Sequence, residues 1–314
     1  MLALAGGVGG AKLADGLAQV LPPGDLVVVV NTGDDFEHLG LHVSPDLDTV
    51  MYTLAGIANP ATGWGVRDET WTSMAALERL GGPTWFRVGD RDLATHVIRT
   101  HRLASGDSLS SVTSYLCERL GARHSIVPMS DDPVRTLVRT ATSTLEFQQY
   151  FVRERCEPQV VALEYRGADH ARASEAFHAA LNSTSLDGVL ICPSNPYLSI
   201  GPMLELPGVR AALRQCRNVM AVSPIVAGKA LKGPAAKIMS ELGAQATALG
   251  VARYYQGVIT TLVIDRADAD LAPQIEALGI HVSVTDTVMN DRRERARLAA
   301  DCVAIGRRRD RELA

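Results

Sequence analysis

The chain begins with the stretch that restricts its fold more than any other, residues 2–12, with the sequence LALAGGVGGAK. Small apolar residues lead directly into GGVGG, which begins at Gly6, and a helical spacing of leucines follows from Leu13. Glycines let the backbone turn tightly and approach a ligand closely. The pattern therefore predicts a strand, a glycine turn and a helix, the unit from which parallel α/β sheets are built.

This glycine turn matches neither of the two common nucleotide-binding motifs. The dinucleotide motif GxGxxG fits at Gly7 and Gly9 but finds Lys12 at its third small residue, and the P-loop motif fails at Ala11. A helix start offers N–H groups and a positive dipole end to a phosphate, so we predict that Gly7, Gly9, Gly10 and Lys12 bind one. The alternative is a turn that only packs the helix on the sheet, for which four glycines in five residues are more than expected.

Further along the chain, short apolar runs alternate with helical patterns. The runs that predict buried strands are residues 27–30, 188–192, 219–222, 258–265 and 281–284. Between about 133 and 168 the pattern becomes that of antiparallel strands, and the aromatic residues Phe147, Tyr150 and Phe151 are expected to form the core of that insertion. We predict an α/β fold, with a mostly parallel sheet flanked by helices and a small antiparallel insertion, in one domain over residues 1–314.

Composition and charge argue against several classes of partner. The net charge of −4 and the isoelectric point of about 6.1 give no reason to expect binding to nucleic acid or to a membrane. Apolar runs stay well short of the roughly 18 residues of a membrane span, and a strand from residue 2 leaves no room for a signal peptide. Five scattered cysteines without a C-x-x-C pair fit a reducing cytoplasm, where we expect the protein.

Carboxylates gather after the second predicted strand. Asp34 and Asp35 follow residues 27–30 at the point where ligands bind in open α/β sheets, and Asp46 and Asp48 stand in the first turns of the next predicted helix. Together these four acids are suited to Mg²⁺. The alternatives are turn formation for the first pair and interaction with the helix dipole for the second.

Two segments in the first half combine aromatic and charged side chains. Trp64 and Trp71 bracket a charged loop that would hold a flat ring or a phosphate. After a predicted short strand at residues 85–88, the side chains of Arg87 and His96 flank the start of the next helix and would bind an anionic ligand. Exposed ion pairs are the alternative.

Two strands in the second half end in loops rich in Ser, Asn, Pro and Gly. Asn195 follows strand 188–192 and has the groups to read a base or a carbonyl, while Ser223 and Lys229 belong to the loop after strand 219–222. Since parallel strands present their carboxyl ends at one edge of the sheet, we predict that these three residues bind substrate there.

In their order along the chain, these motifs resemble the 2-phospho-L-lactate transferase family of coenzyme F420 biosynthesis. The stretches that carry the resemblance are GGVGGAKL, VVVNTGDD, SPDLDTVMYTLAG, WG-x-RDETW, GDRDLATH, MSDDPVRT, PSNP-x-x-SIGP and SPI-x-AGK-x-x-KGPA-x-K. Ordered motifs over nearly the whole chain are far more specific than one glycine turn. The resemblance implies a Rossmann-like fold, a requirement for Mg²⁺ and a homodimer.

The resemblance also implies a reaction. The family transfers a phosphorylated small acid from a guanosine diphosphate carrier to the terminal hydroxyl of the deazaflavin Fo and releases GMP, and an upstream guanylyltransferase supplies the donor. By match to the family's motifs, Asp48 and Arg87 would contact Fo, Asp48 would act as base or as ligand, and Asp34 and Asp48 would hold the metal. Some relatives have Ala-Glu-Asp where this chain has residues 33–35. Phosphoryl transfer needs positioning and charge neutralisation more than a covalent nucleophile, and this fits the residues.

Two functions from other classes fit parts of the sequence. A non-catalytic, nucleotide-sugar-binding regulator of the gluconeogenesis-factor-like family would share the opening glycine motif and the fold. An NAD-linked oxidoreductase would use the same turn, but Lys12 stands where that motif needs a small residue. The strings WG-x-RDETW and GDRDLATH favour the transferase.

Overall fold

The computed structural model describes residues 1–231 and 233–313, with side chains up to residue 308. Its strands are β1 (Leu2–Ala5), β2 (Val27–Val30), β3 (Phe36–His38), β4 (Leu41–Val43), β5 (Ser125–Pro128), β6 (Arg135–Thr140), β7 (Thr144–Glu146), β8 (Val160–Arg166), β9 (Val189–Ile191), β10 (Val219–Val222), β11 (Ile225–Val226), β12 (Lys229–Ala230), β13 (Thr261–Asp265) and β14 (His281–Thr285). Its α-helices are α1 (Gly7–Val20), α2 (Pro45–Leu54), α3 (Thr72–Arg79), α4 (Asp90–Ala104), α5 (Leu109–Leu120), α6 (Glu175–Leu181), α7 (Gly201–Leu204), α8 (Val209–Gln215), α9 (Ala235–Glu241), α10 (Ala248–Tyr255), α11 (Ala272–Glu276) and α12 (Arg292–Leu313).

The main sheet has seven parallel strands in the order β14-β13-β10-β9-β1-β2-β5. Apolar clusters cover both of its faces, one around Leu2 and Leu4 and the other around Ala3 and Ala5. Burial on both faces explains why its strands are continuous apolar runs in the sequence. The predicted α/β fold with a mostly parallel sheet is confirmed.

The order of the strands reverses between β1 and β9. From β1 the chain builds β2 and β5 on one side of the sheet, and later it builds β9, β10, β13 and β14 on the other. The two strands at the reversal pair in register, with Leu2 opposite Val189 and Leu4 opposite Ile191. Open α/β sheets bind ligands at such a point, beyond the carboxyl ends of the strands. The glycine turn after β1 and the Pro193–Ser199 loop after β9 therefore meet there.

The predicted antiparallel insertion is confirmed as a three-stranded sheet in the order β7-β6-β8. Lys237 of α9 ties it to the main body, because its Nζ donates to Tyr150 Oη at 3.1 Å and to Pro158 O at 3.0 Å. A predicted strand at residues 85–88 is wrong, since this segment is held by ring contacts instead of strand pairing. Helices long and apolar enough to cross a membrane are not found among the described residues.

Candidate active site

A cavity of about 790 Å³ opens at the point where the strand order reverses. The glycine turn forms its floor together with the Pro193–Ser199 loop. Acids of α2 and of the loop after β2 form one side, and aromatic side chains from two separate segments form others. Its residues come from every part of the chain, so only the fold brings the predicted site residues together.

Close packing explains most of the glycines in the turn. A Cβ at Gly9 would lie 2.3 Å from the carbonyl oxygen of Pro193, and one at Gly10 would lie 2.5 Å from Ser194 Oγ. Gly7 has φ +62°, a conformation that glycine adopts without strain. The expectation that packing would not need so many glycines is therefore wrong. Gly7 and Gly9 still line the cavity, whereas Gly10 is buried behind them.

The four predicted acids divide into two groups. In the first group, Asn31 Nδ2 donates to Asp46 Oδ2 at 3.0 Å. Burial raises the pKa of Asp34 well above its usual range, and the charge of Asp46 raises it further. Burial also raises the pKa of Asp46 to about 6, against the hydrogen bonds from Asn31 and from the Gly7 N–H. Asp34 and Asp46 thus form a close pair of buried acids at the start of α1.

Asp34 and Asp35, the neighbouring acids of this group, differ in how they are satisfied. Asp35 Oδ2 accepts hydrogen bonds from Ser44 Oγ at 2.8 Å and from His42 Nε2 at 3.1 Å. Oδ1 of each of these two acids is buried without a hydrogen-bond partner among the described residues, but only Asp34 lines the cavity. A buried carboxylate oxygen without a donor is costly, so Asp34 is the one of the two whose oxygen a ligand in the cavity would satisfy.

Asp48 belongs to the second group, which is built around α4. The guanidinium of Arg99 spans both oxygens of Asp48: Nη1 donates to Oδ2 at 3.1 Å, and Nη2 donates to Oδ1. His96 Nδ1 lies 3.6 Å from Asp48 Oδ2, and its Nε2 lies 3.4 Å from Asp92 Oδ2. Tyr52 Oη donates to Asp92 Oδ1 at 2.7 Å. Asp48, Asp92, His96 and Tyr52 line the cavity, whereas Arg99 lies behind them.

The pair of Asp48 and Arg99 is ionised. Burial opposes the charge on Arg99, whose side chain is 1% exposed, but the Asp48 carboxylate keeps the pKa of Arg99 above its ordinary value. Burial raises the pKa of Asp48, and the charge of Arg99 opposes that rise. A buried guanidinium without its counter-ion would be strongly destabilising, so we assign the charged form to Asp48 beside it. The predicted catalytic carboxylate is therefore neutralised by the protein itself.

Aromatic side chains line the cavity at two places. Trp85 and Phe86 lie with ring centroids 5.7 Å apart, and the exposed ring of Trp64 lies at the same cavity. Phe147 and Phe151 of the insertion stack at 5.4 Å with an interplanar angle of 14°, and they line it as well. The expected core role is confirmed for Phe147 and Tyr150, which are buried in the apolar cluster of the insertion, and it is wrong for Phe151, which is exposed.

Arg87 and Trp71 contact each other, although the sequence assigns them to two separate segments with separate roles. The Arg87 guanidinium lies over the Trp71 ring, 4.1 Å from its centre. Arg87 lines the cavity, while Trp71 lies outside its lining. Cation–π contact orients an otherwise flexible arginine, so Trp71 aims Arg87 at the cavity.

The predicted residues of the second half are placed differently from one another. Asn195 Oδ1 accepts from the N–H groups of Tyr197 and Leu198, and its Nδ2 is buried without a partner among the described residues. Ser223 lines the cavity, but its Oγ donates to Ile225 O within its own loop. Lys229 is exposed on β12 and outside the cavity lining. Lys12 lines the cavity, where its Nζ donates to Met289 O at 2.7 Å.

Sequence reasoning missed Arg99, Asp92 and Tyr52, and it assigned His96 to an anionic ligand. Asp92, His96 and Arg99 follow one another at i, i+4 and i+7 in α4, which places them on one face of the helix. A charged stripe on an amphipathic helix is normally its solvent face, which is why the pattern does not identify these residues as buried. A signal for these residues is still present in the sequence. It is their spacing along α4, taken together with the acids of α2.

Comparisons with known proteins identify the family of this chain. The family model of 2-phospho-L-lactate transferase CofD matches residues 1–303. The chain is 41% identical over 298 residues to a phosphoenolpyruvate transferase of Streptomyces griseus, covering 93% of each. It is 38% identical over 299 residues to a 2-phospho-L-lactate transferase of Methanosarcina mazei, covering 95% of this chain and 98% of the other.

The fold is also found in a solved structure. A crystal structure of a UPF0052-family protein from Bacillus halodurans matches with a TM-score of 0.61 and 12% identity, over 96% of this chain and 97% of that one. At this identity the match concerns the fold alone. The family model and the relatives confirm the resemblance that the ordered motifs indicate, and the chain belongs to the 2-phospho-L-lactate transferase CofD family.

Proposed function

We propose that this protein transfers a phosphorylated small acid from its guanosine diphosphate carrier to the terminal hydroxyl of the deazaflavin Fo, with release of GMP. Family membership supports the transferase class. The observation that carries the proposal is one cavity joining the glycine turn, buried carboxylates and aromatic walls. Its volume of about 790 Å³ falls in the upper part of the roughly 300–1,000 Å³ range of small-molecule sites, as two substrates require.

Direct displacement by the acceptor hydroxyl fits the side chains of the cavity. None of the five cysteines lines the cavity as the described residues define it, and burial raises the pKa of Cys117 and Cys302 to about 12. These thiols are protonated and offer no nucleophile at neutral pH. All five are free, which fits the reducing cytoplasm that we propose as the location.

Asp48 is the residue that we assign to the acceptor hydroxyl. It lines the cavity as an ionised carboxylate whose charge is balanced by Arg99. A carboxylate in this state accepts a hydrogen bond from the Fo hydroxyl and aligns its oxygen for in-line attack. The proton then passes to Asp48 or to the departing GMP phosphate.

Mg²⁺ is the cofactor that we propose, with Asp34 and Asp46 as its protein ligands. Oδ1 of Asp34 has no hydrogen-bond donor among the described residues, and the charges of Asp34 and Asp46 repel each other. A cation bound between the two acids would relieve both conditions. Mg²⁺ is commonly held by one or two carboxylates and substrate phosphates. When bound, it would neutralise the diphosphate of the donor.

The pairing of Asp48 with Arg99 leads us to prefer Asp46 over Asp48 as the second ligand. Ligand atoms of Asp48, Asp92 and His96 lie within 4.8 Å of one another, a spacing that suits a metal. A cation there would face the guanidinium of Arg99, which already spans both oxygens of Asp48. The charge of Arg99 therefore disfavours that position.

Asn195 is the residue that we assign to the guanine base. Its Oδ1 is held by two backbone N–H groups, and this fixes the direction of its unpartnered Nδ2. An amide N–H₂ donates to the O6 acceptor of guanine, whereas adenine presents a donor at that position. We therefore propose that this site prefers guanosine nucleotides.

The test is a reconstituted reaction followed by the fluorescence and mass of the deazaflavin. Purified protein is mixed with Fo, Mg²⁺, GTP, a guanylyltransferase and either phosphoenolpyruvate, 2-phospholactate or 3-phosphoglycerate. Each acid is included because the relatives named for two of them match at 41% and 38% identity. We expect Fo-dependent GMP release and a phosphodiester-linked deazaflavin with one acid. Binding of GDP without product from any acid would favour the non-catalytic, nucleotide-sugar-binding regulator.

The homodimer is a separate proposal, and sedimentation of the same sample tests it.

A further inference from the structure

Arg99 is one of the largest fully buried side chains of the protein, yet it carries a permanent charge. It lies in the third turn of α4, and its guanidinium points at the back of Asp48. Burying such a group is unfavourable unless its counter-ion is close and well oriented. A charge kept there at this cost calls for an explanation in terms of Asp48.

The contacts of the guanidinium fix Asp48 in orientation as well as in charge. Two nitrogens facing two oxygens form a planar, bidentate pair, which holds the plane of the carboxylate. Asp34, in contrast, has one oxygen without any partner among the described residues. Of these two cavity acids, Asp48 is therefore the one that the protein orients before a ligand arrives.

Arg99 also fixes the state of the neighbouring imidazole. Its Nη1 lies 3.3 Å from His96 Nδ1, and a guanidinium nitrogen can only donate. His96 Nδ1 is then the acceptor, and its proton resides on Nε2, which faces Asp92 Oδ2 at 3.4 Å. Because Nδ1 already accepts from Arg99 and Nε2 carries the proton, His96 has no free lone pair to act as a base for the substrate, and it is a support for Asp48.

We propose that Arg99 is a positioning residue, which holds the carboxylate of Asp48 in the plane that receives the acceptor hydroxyl. Arg99 does not line the cavity, so it acts on the substrate only through Asp48, which it contacts directly and supports by way of His96. This inference rests on the proposed transfer to Fo. It adds a residue outside the cavity to the machinery of that reaction.

The test uses Arg99→Lys, which keeps the charge but cannot form the bidentate pair. Its matched control is Arg102→Lys on the same helix. Arg102 pairs with Asp107 at a distance of 2.7 Å, and neither residue lines the cavity. We expect Arg99→Lys to lower kcat/KM for Fo by about 100-fold, the loss that a misplacement of about 1 Å brings. The loss should fall mainly on kcat, with the KM for the guanosine-linked donor unchanged.

A second comparison separates positioning from general support of the fold. In an Asp48→Asn background, Arg99→Lys should cause no further loss, because its only route to the substrate has been removed. The proposal would be overturned if the losses caused by Asp48→Asn and Arg99→Lys multiplied in the double variant. It would also be overturned if Arg99→Lys alone raised the KM for the donor in parallel, or if it were as active as Arg102→Lys. An inactive wild-type protein would instead overturn the proposed function, and this inference with it.

A variant pair covers the case in which Arg99→Lys does not fold. Asp48→Asn combined with Arg99→Gln removes both buried charges and leaves amides that can hydrogen-bond with each other. Its melting temperature and GDP binding report on folding. The double variant must match Asp48→Asn alone in kcat/KM for Fo, and a further drop would refute a role that runs through Asp48.

Discussion

The contact between the glycine turn and the Pro193–Ser199 loop gives the sharpest test of how this site is assembled. In Gly9→Ala, the new Cβ would lie 2.3 Å from Pro193 O, a backbone atom that cannot rotate away. Real Cβ contacts of this kind are at least 3.0 Å long, so α1 and the loop must separate by about 0.7 Å. The glycine turn and the Pro193–Ser199 loop together form the floor of the cavity. Their separation would therefore misalign the substrate.

The size of the effect follows from these distances. Overpacking costs about 1–3 kcal/mol, and alanine regains about 0.5–1 kcal/mol in a helix, so we expect a net loss of about 1 kcal/mol. For a chain of this size that corresponds to a drop in melting temperature of about 2–4 °C. Because a misplacement of about 1 Å costs about 100-fold, kcat/KM should fall by about 10- to 100-fold.

The matched control is Gly306→Ala in α12. Its new Cβ meets only the end of the Asn218 amide, at 2.9 Å, which can rotate away. Calorimetry and the deazaflavin assay on both variants check the prediction. If Gly9→Ala has the stability and activity of Gly306→Ala, the reasoning that the glycines serve close packing is refuted.

Three further predictions concern the individual walls of the cavity. Asp34→Asn should lower kcat by about 100-fold and raise the Mg²⁺ concentration needed for turnover; a Mg²⁺ titration measures this, and full activity in excess EDTA would contradict it. Asn195→Ala should reduce the thermal stabilisation by GDP to that given by ADP, and equal shifts by both nucleotides in the wild type would argue against this placement. Arg87→Ala should raise the KM for Fo more than it weakens GDP binding, whereas Lys229→Ala, outside the cavity, should change neither.

The fold is predictable where the determinants are local. The unbroken run at Val27–Val30 and the turn after β1 are properties of short segments, and a strand buried on both faces leaves its mark on each. Strand 85–88 was not predictable in this way. A segment of four residues with three apolar side chains does not reveal whether it pairs with a strand or, like Phe86, packs edge-on against Phe36 at 4.8 Å.

The site is less predictable because its determinants are distant in the chain. Gly9 is a glycine because of Pro193, and nothing near residue 9 identifies that partner. The four acids look equivalent in the sequence, and only the contacts of Asp48 with Arg99 divide them. Phe151 changes from a core residue to a cavity wall because the insertion packs against Leu198 and against Ile238 of α9, beside the cavity.

The division of the acids gives the proposed reaction its logic. A transferase of this kind brings an uncharged hydroxyl to a highly charged diphosphate, and the two need opposite surroundings. The acceptor is best met by a carboxylate that is oriented and neutralised before it arrives, and Arg99 provides this for Asp48. The diphosphate is best met by a charge that arrives and leaves with it, since permanent neutralisation would hold the departing GMP. Asp34 and Asp46 are buried acids that repel each other. As the proposed ligands of Mg²⁺, they would meet that second need if the cation accompanies the donor.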